Sequence, residues 1–250
     1  MKLISGIYGT ICYFVGFAAL LALIAFIGEF LSAVTVSRAS HVAPAVSGPL
    51  AIIWNLMLVA LWSSQHSLMA DPRFKAVWTK IVPNPVERSS YLVFVALMTA
   101  ILIAFWVPLP GVIWDLSGSA GAYLLFAGFI VGWIIVFVST FLIDHFHLFG
   151  LKQSWLIKPK QNVGPAHFVT PLFYKLVRHP MMSGVLIALW CAPTLTLARL
   201  VFNIAMTAYI LVGTRHEEQT LVEELGEEYE AYRRTTAMLV PGVKVGNRSI

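Results

Sequence analysis

Apolar runs about as long as a bilayer is thick recur along this chain, and no other feature constrains its fold more. Ile7–Leu31, Leu50–Leu68, Ser90–Val107 and Gly121–Ile143 each approach or exceed the roughly 20 helical residues that cross about 30 Å of hydrocarbon. Met181–Leu197 and Leu200–Gly213 are shorter, and predict a short helical hairpin. A 250-residue soluble domain that is 58% hydrophobic and 12% charged could not bury so much apolar surface. The expected fold is therefore all-α: a polytopic transmembrane bundle of about six spans, with five as the alternative. It forms one domain, 1–250, without a repeat or low-complexity linker.

The formal charge of +5 is no nucleic-acid footprint, because its distribution follows membrane orientation. With the N-terminus in the cytoplasm and six crossings, 15 of the 17 Lys and Arg lie inside, and only Arg38 and Arg199 lie outside. Both termini are then expected in the cytoplasm. The first apolar run lacks a small-residue cleavage site and reads as a retained span. Cys12 and Cys191 fall toward opposite membrane faces, which predicts no disulfide.

Beyond Gly213 the chain stays helical. Leu221, Val222, Leu225, Tyr229 and Tyr232 form an apolar stripe, with Glu223, Glu224, Glu227, Glu228, Arg233 and Arg234 around much of the rest. This cytoplasmic amphipathic helix either rests on lipid headgroups or packs as a lid over the inner mouth of the bundle. Gly128 and Gly132 make a small-xxx-small step suited to close helix packing. The 152–175 stretch is the longest inner loop, and long loops in compact proteins are often functional.

The same topology gathers ionisable groups at the inner face. Gln65-His66-Ser67, Asp144-His145-Phe146-His147, Arg178-His179 and Arg215-His216-Glu217-Glu218 all mark inner helix ends, with His167 in the inner loop. Interfacial anchoring accounts for any one of them. The concentration of six of seven histidines favours an inward-facing polar pocket. Metal is not expected, since His145 and His147, two apart, diverge on a helix. No GxGxxG loop or GxSxG elbow is present. Opposite charges at one water boundary, Arg178 before the hairpin and Glu217-Glu218 after it, suit a zwitterionic ligand.

These residues also carry a resemblance. Arg178-His179-Pro180 before the hairpin and Glu217-Glu218 after it resemble the isoprenylcysteine carboxyl methyltransferase-like membrane enzymes, which use S-adenosylmethionine. Ser64–Ala70, Ile81-Val82-Pro83 and Glu87-Arg88-Ser89 are similar to the amino-terminal half of the NnrU-like membrane family. His145-Phe146, Leu148–Gln153, Leu176–Met182, Leu186–Trp190, Glu217–Leu221, Gly226–Tyr229, Tyr232–Arg234 and Leu239-Val240-Pro241 resemble the bacterial methanethiol S-methyltransferases. Met181 replaces an aromatic residue frequent in the isoprenylcysteine relatives, and His147 stands where an acid is expected.

That resemblance implies methyl transfer from S-adenosylmethionine to methanethiol, without a metal, in a donor-binding half covering 144–241. It implies donor contacts from Gln153, Tyr174, Arg178, His179, Pro180, Gly184, Glu217 and Glu218. Thiolate is the nucleophile, so a neutral histidine is the expected base, His145 first and His66 second. Phe146, Phe149 and Trp190 would line a small dry acceptor chamber. A membrane and a small thiol are the implied partners. An isoprenylcysteine carboxylate, another thiol or a lipid amine are the alternative acceptors, and an NnrU-type transport or assembly protein is the alternative without catalysis.

Overall fold

The computed structural model describes residues 2–30, 35–38, 40–155 and 171–243. His167, most of the inner loop, Leu31, Lys244 and Arg248 lie outside the described residues. In chain order the elements are α1 (Lys2–Gly28), α2 (Gly48–Ala70), α3 (Pro72–Trp78), α4 (Asn84–Phe105) and the strand β1 (Val112–Asp115). Next come α5 (Ala120–Ile143), the short α6 (His145–Leu148) and α7 (Leu151–Trp155), and a 3-10 turn at Leu172–Lys175. The chain closes with α8 (Pro180–Trp190), β2 (Thr194–Thr196), α9 (Leu197–Leu225) and α10 (Glu227–Thr235). Proline in the first turn starts α2, α3, α4 and α8, where its missing N–H costs no helical bond.

Four of these helices, α1, α4, α5 and α9, are long and apolar enough to cross a membrane. Their apolar side chains point outward as well as inward: Tyr123 and Leu124 are 77% and 75% exposed. Such a surface is stable against lipid, so this is an integral membrane protein. The helix α1 packs on α4 and α7, α2 packs between α4 and α9, and α5 packs on α8. Phe26, Trp106 and Phe202 meet edge to face in the core joining α1, the end of α4, and α9.

Backbone groups freed at helix ends find partners, as a low-dielectric surround requires. Where α4 unwinds, Asn55 takes both polar groups of Val107, donating to its carbonyl at 2.6 Å and accepting from its N–H at 3.0 Å. Asn203 donates to the carbonyl of Leu189 at 2.7 Å at the end of α8. The indole of Trp106 donates to Val36 O at 2.9 Å.

Two expectations about the last segments are corrected. Met181–Leu197 is not helical throughout, because α8 stops at Trp190. Pro193 has no N–H to continue a helix and disfavours α geometry at Ala192. The chain instead extends into β2, paired antiparallel with β1 through Trp114↔Leu195 and Asp115↔Thr194. Leu200–Gly213 is not a short segment either, since it belongs to the 29-residue α9. Sequence periodicity gave no sign of the β1–β2 pair.

Helices α5 and α8 approach backbone to backbone. A Cβ on Gly184 would lie 2.6 Å from Gly132 O, and one on Gly132 would lie 2.6 Å from Gly184 O. Gly128 faces Cys191 in the same way. The small-residue step therefore packs helices, as expected. Gly184, expected at the donor site, lies in this contact. Cys12 and Cys191 are both free thiols. We expect Gly184→Val to lower the melting temperature in detergent, reflecting about 1–3 kcal/mol of overpacking strain. Gly213→Ala, where nothing lies within 4 Å, should leave it unchanged or slightly raised.

Candidate functional site

Arg178 and His179 immediately precede α8, and His179 is its N-cap residue. Their backbone N–H groups, unavailable to the helix, donate to Ala237 O at 2.9 Å and Met238 O at 3.1 Å. The Ser183 hydroxyl donates to Leu239 O at 2.6 Å. The chain reaches this position because α9 ends at Gly226, whose φ of +59° suits glycine, and α10 folds back. Tyr229 is buried, and the Tyr232 hydroxyl donates to Tyr174 O. Of the tail, α10 and the residues after it pack against the segment that precedes α8 and against the end of α9.

Side chains tie the same elements together. Glu218 of α9 accepts from Arg178 Nε at 2.5 Å and lies 3.2 Å from His179 Nε2, with Arg233 of α10 at 3.6 Å. Arg178 Nη1 also donates to the carbonyls of Arg233 and Thr236. The Arg178 and Glu218 side chains are only 9% and 7% exposed. The two charges expected to flank a ligand are thus bonded to each other. The carboxylate left open is Glu217, 54% exposed and 3.5 Å from His179 Nδ1.

Electrostatics assign the protons. Burial acts against a charged His179, but the carboxylates of Glu217 and Glu218 outweigh it and hold its pKa above the ordinary histidine value. Burial, reinforced by Glu217, pushes the Tyr174 phenol up to about 12, so it stays a hydrogen-bond donor at neutral pH.

The other expected residues form two further groups. His145 is 3% exposed, with Nε2 2.9 Å from the Tyr13 hydroxyl and Nδ1 2.8 Å from Thr140 Oγ1. Phe141 stacks on its ring, and Phe146 and Phe149 pack beside it. Gln153 donates to His147 O at 3.1 Å on this side of the bundle, where α7 packs against α1 and α4. His66 instead stacks on Trp62, contacts Tyr209 edge-on, and pairs with the Tyr91 hydroxyl at 3.0 Å.

Helix geometry separates these groups. Glu218, Asn203 and Thr207, which meet α8, fall within about 60° of one another around α9. Tyr209, facing α2 and His66, lies about 120° to 180° further round. His66 is therefore across α9 from the Arg178 cluster. His145 follows α5, the helix that packs directly on α8. Trp190 donates to Thr207 at 3.1 Å at the far end of α8, about 15 Å from Pro180, and does not join Phe146 and Phe149. Tyr13, Thr140 and Arg233 were missed as site residues. Tyr13 carried a signal, since a tyrosine inside an apolar run needs a partner for its hydroxyl.

The chain is 40% identical to methanethiol S-methyltransferase 1 of Bradyrhizobium diazoefficiens, over 96% of this chain and 83% of that protein. The methanethiol S-methyltransferase of Mycobacterium tuberculosis is 40% identical over 94% and 95%. The chain belongs to the methanethiol S-methyltransferase family. Human nurim is more distant from it, at 32% identity over 70% of the chain and 69% of its own length. No family model and no solved structure matches. Among the described residues, no group of three or more His, Cys, Asp or Glu could hold a metal ion.

For this family member, removing Arg178 would strip the buried Glu218 carboxylate of its nearest partner. Arg178→Ala should cost about 3–5 kcal/mol and free α10, read as faster hydrogen exchange across 227–239. Because the pKa of His179 is raised on folding, its ionic contribution is complete below the unfolded value of about 6.5. It disappears as pH rises through the higher folded value. Protection of α10 should therefore weaken with rising pH in the wild type, and this dependence should be absent in His179→Asn.

Proposed function

We propose that the chain transfers the methyl group of S-adenosylmethionine to methanethiol, yielding dimethyl sulfide and S-adenosylhomocysteine on the cytoplasmic side of a bacterial inner membrane. The observation that carries this reading is 40% identity across nearly the whole chain to proteins named methanethiol S-methyltransferase.

The residues at the inner mouth fit the donor. Glu217 offers a half-exposed carboxylate to an ammonium, the protonated Tyr174 phenol offers a donor, and His179 lies beside them. Arg178 and Glu218 hold this edge in place, with Pro180 fixing the start of α8. Gln153 stands on the thiol side rather than at this edge. Bound S-adenosylmethionine supplies a methyl group on a positively charged sulfur. The protein positions the acceptor sulfur, excludes water and accepts a proton. Tyr13, Phe146 and Phe149 pack around His145 and suit a small apolar thiol.

The topology we propose has six passes with both termini in the cytoplasm. The 23-residue α2 serves as the second. The fifth is α8, about 16 Å long, with the 191–196 stretch that follows it; because Leu189 lies beside Asn203, six residues into α9, that stretch adds about 9 Å and the fifth pass is a short one. Antiparallel contacts support this, with His179 beside Glu218 and Leu189 beside Asn203. The bias of Lys and Arg toward one face supports the orientation.

Purified protein given labelled S-adenosylmethionine and a panel of thiols should release labelled dimethyl sulfide into the headspace from methanethiol. Donor binding without transfer to any thiol would overturn the assignment. Glu217→Gln should weaken donor affinity by roughly tenfold or more, the scale of a lost charged hydrogen bond, with the melting temperature unchanged.

A further inference from the structure

The hydrogen bonds around His145 determine which way a proton can travel through it. Three close contacts form a chain: Tyr13 Oη to His145 Nε2 at 2.9 Å, His145 Nδ1 to Thr140 Oγ1 at 2.8 Å, and Thr140 Oγ1 to Phe137 O at 2.7 Å. A backbone carbonyl can only accept, so Thr140 donates its single proton to Phe137 O. Thr140 must then accept from His145, which puts the ring proton on Nδ1. The remaining nitrogen, Nε2, is an acceptor, and its lone pair is taken by the Tyr13 hydroxyl. The opposite tautomer would turn the Thr140–Phe137 contact into a repulsion between two oxygens.

In this arrangement the lone pair that would make His145 a base is already occupied by Tyr13. We propose that Tyr13 is the immediate proton acceptor from the thiol and relays the proton to His145, with Thr140 holding the imidazole in the receiving tautomer. This rests on the thiol-methylation reading above. As the thiol S–H proton passes to Tyr13 Oη, the proton of Tyr13 moves to His145 Nε2. The sulfur lone pair forms the new carbon–sulfur bond while the methyl bond to the donor sulfonium breaks. The bonding electrons stay on the donor sulfur, which becomes a neutral thioether. His145 ends as an imidazolium and returns its proton to water.

The surroundings suit that cycle. Tyr13 lies among apolar rings, stacked on Phe17 and edge-on to Phe14 and Phe149. Burial holds the His145 pKa below its ordinary value, with Asp144 opposing weakly, so the ring is neutral and ready to accept at pH 7. The charged groups nearby are committed elsewhere. Asp144 pairs with Lys152 of α7 at 2.5 Å, and Arg88 of α4 donates to Leu148 O at 2.8 Å. His147, two residues on, is exposed.

The test uses the full chain in detergent or nanodiscs, with methanethiol and S-adenosylmethionine. Tyr13→Phe keeps the ring and removes only the relay atom. Its kcat should fall about a hundredfold near pH 7, the scale of general acid–base catalysis, with donor KM and melting temperature unchanged. The deficit should shrink as pH rises and solution supplies thiolate. Thr140→Val should reproduce part of the loss and Thr140→Ser should restore activity. Nitrogen-15 spectra of histidine-labelled protein should show His145 protonated at Nδ1 in the wild type. Wild-type kcat in Tyr13→Phe, a pH-independent loss with a lower melting temperature, or a proton on Nε2 would each overturn the relay. Absence of methyl transfer in the wild type would instead overturn the functional reading, and the relay with it.

Discussion

Glu218 is a carboxylate held away from water on a long apolar helix, and the junction of α8, α9 and α10 depends on how its charge is met. Arg178 lies against it at 2.5 Å, His179 and Arg233 are close by, and the four side chains come from three separate parts of the chain. Such a charge in a low dielectric is costly alone and tolerable only with several well-placed partners. That requirement joins the residues before α8, the end of α9 and the folded-back α10 into one unit. The carbonyls of Arg233 and Thr236 complete the guanidinium's hydrogen bonds, so docking of the tail and neutralisation of the buried charge are one event.

A second constraint acts on the backbone. In a hydrocarbon surround, each unwound turn must satisfy its polar groups within the protein. Asn55 does so for Val107 and Asn203 for Leu189, which allows α4 and α8 to end where helix geometry fails. The glycine contact between α5 and α8 brings their backbones together. It places the end of α5, and hence His145, on the helix pair that also carries His179. Fold and chemistry meet through this packing. The helix that follows the tight contact begins at His145, and the helix it touches begins at His179.

Three histidines that looked equivalent at the inner face have three different environments. Two carboxylates raise the pKa of His179 against its burial, burial lowers that of His145, which is bonded at both ring nitrogens, and His66 is enclosed by Trp62, Tyr91 and Tyr209 across α9. Separate roles follow from separate fields. A cationic imidazole cannot accept a proton, and a neutral one cannot reinforce a buried carboxylate.

The sequence by itself determined that this chain lives in a membrane, because apolar length and charge asymmetry are one-dimensional properties. It also placed the first four long helices approximately, but it missed that α9 runs on to Leu225 and that α8 stops at Trp190. The family motifs were legible for the same reason. What only the tertiary structure decided was which polar groups meet. Arg178 and Glu218 could be read as two jaws for a ligand, but they are 40 residues apart and become a bonded pair only when α8 and α9 run antiparallel. Tyr13 and His145 are separated by 132 positions, and nothing local to either sequence encodes their contact. Local pattern specifies helices because their hydrogen bonds close within four residues. The partners of a buried charge or a proton acceptor are set by which helix faces converge, and that is a property of packing.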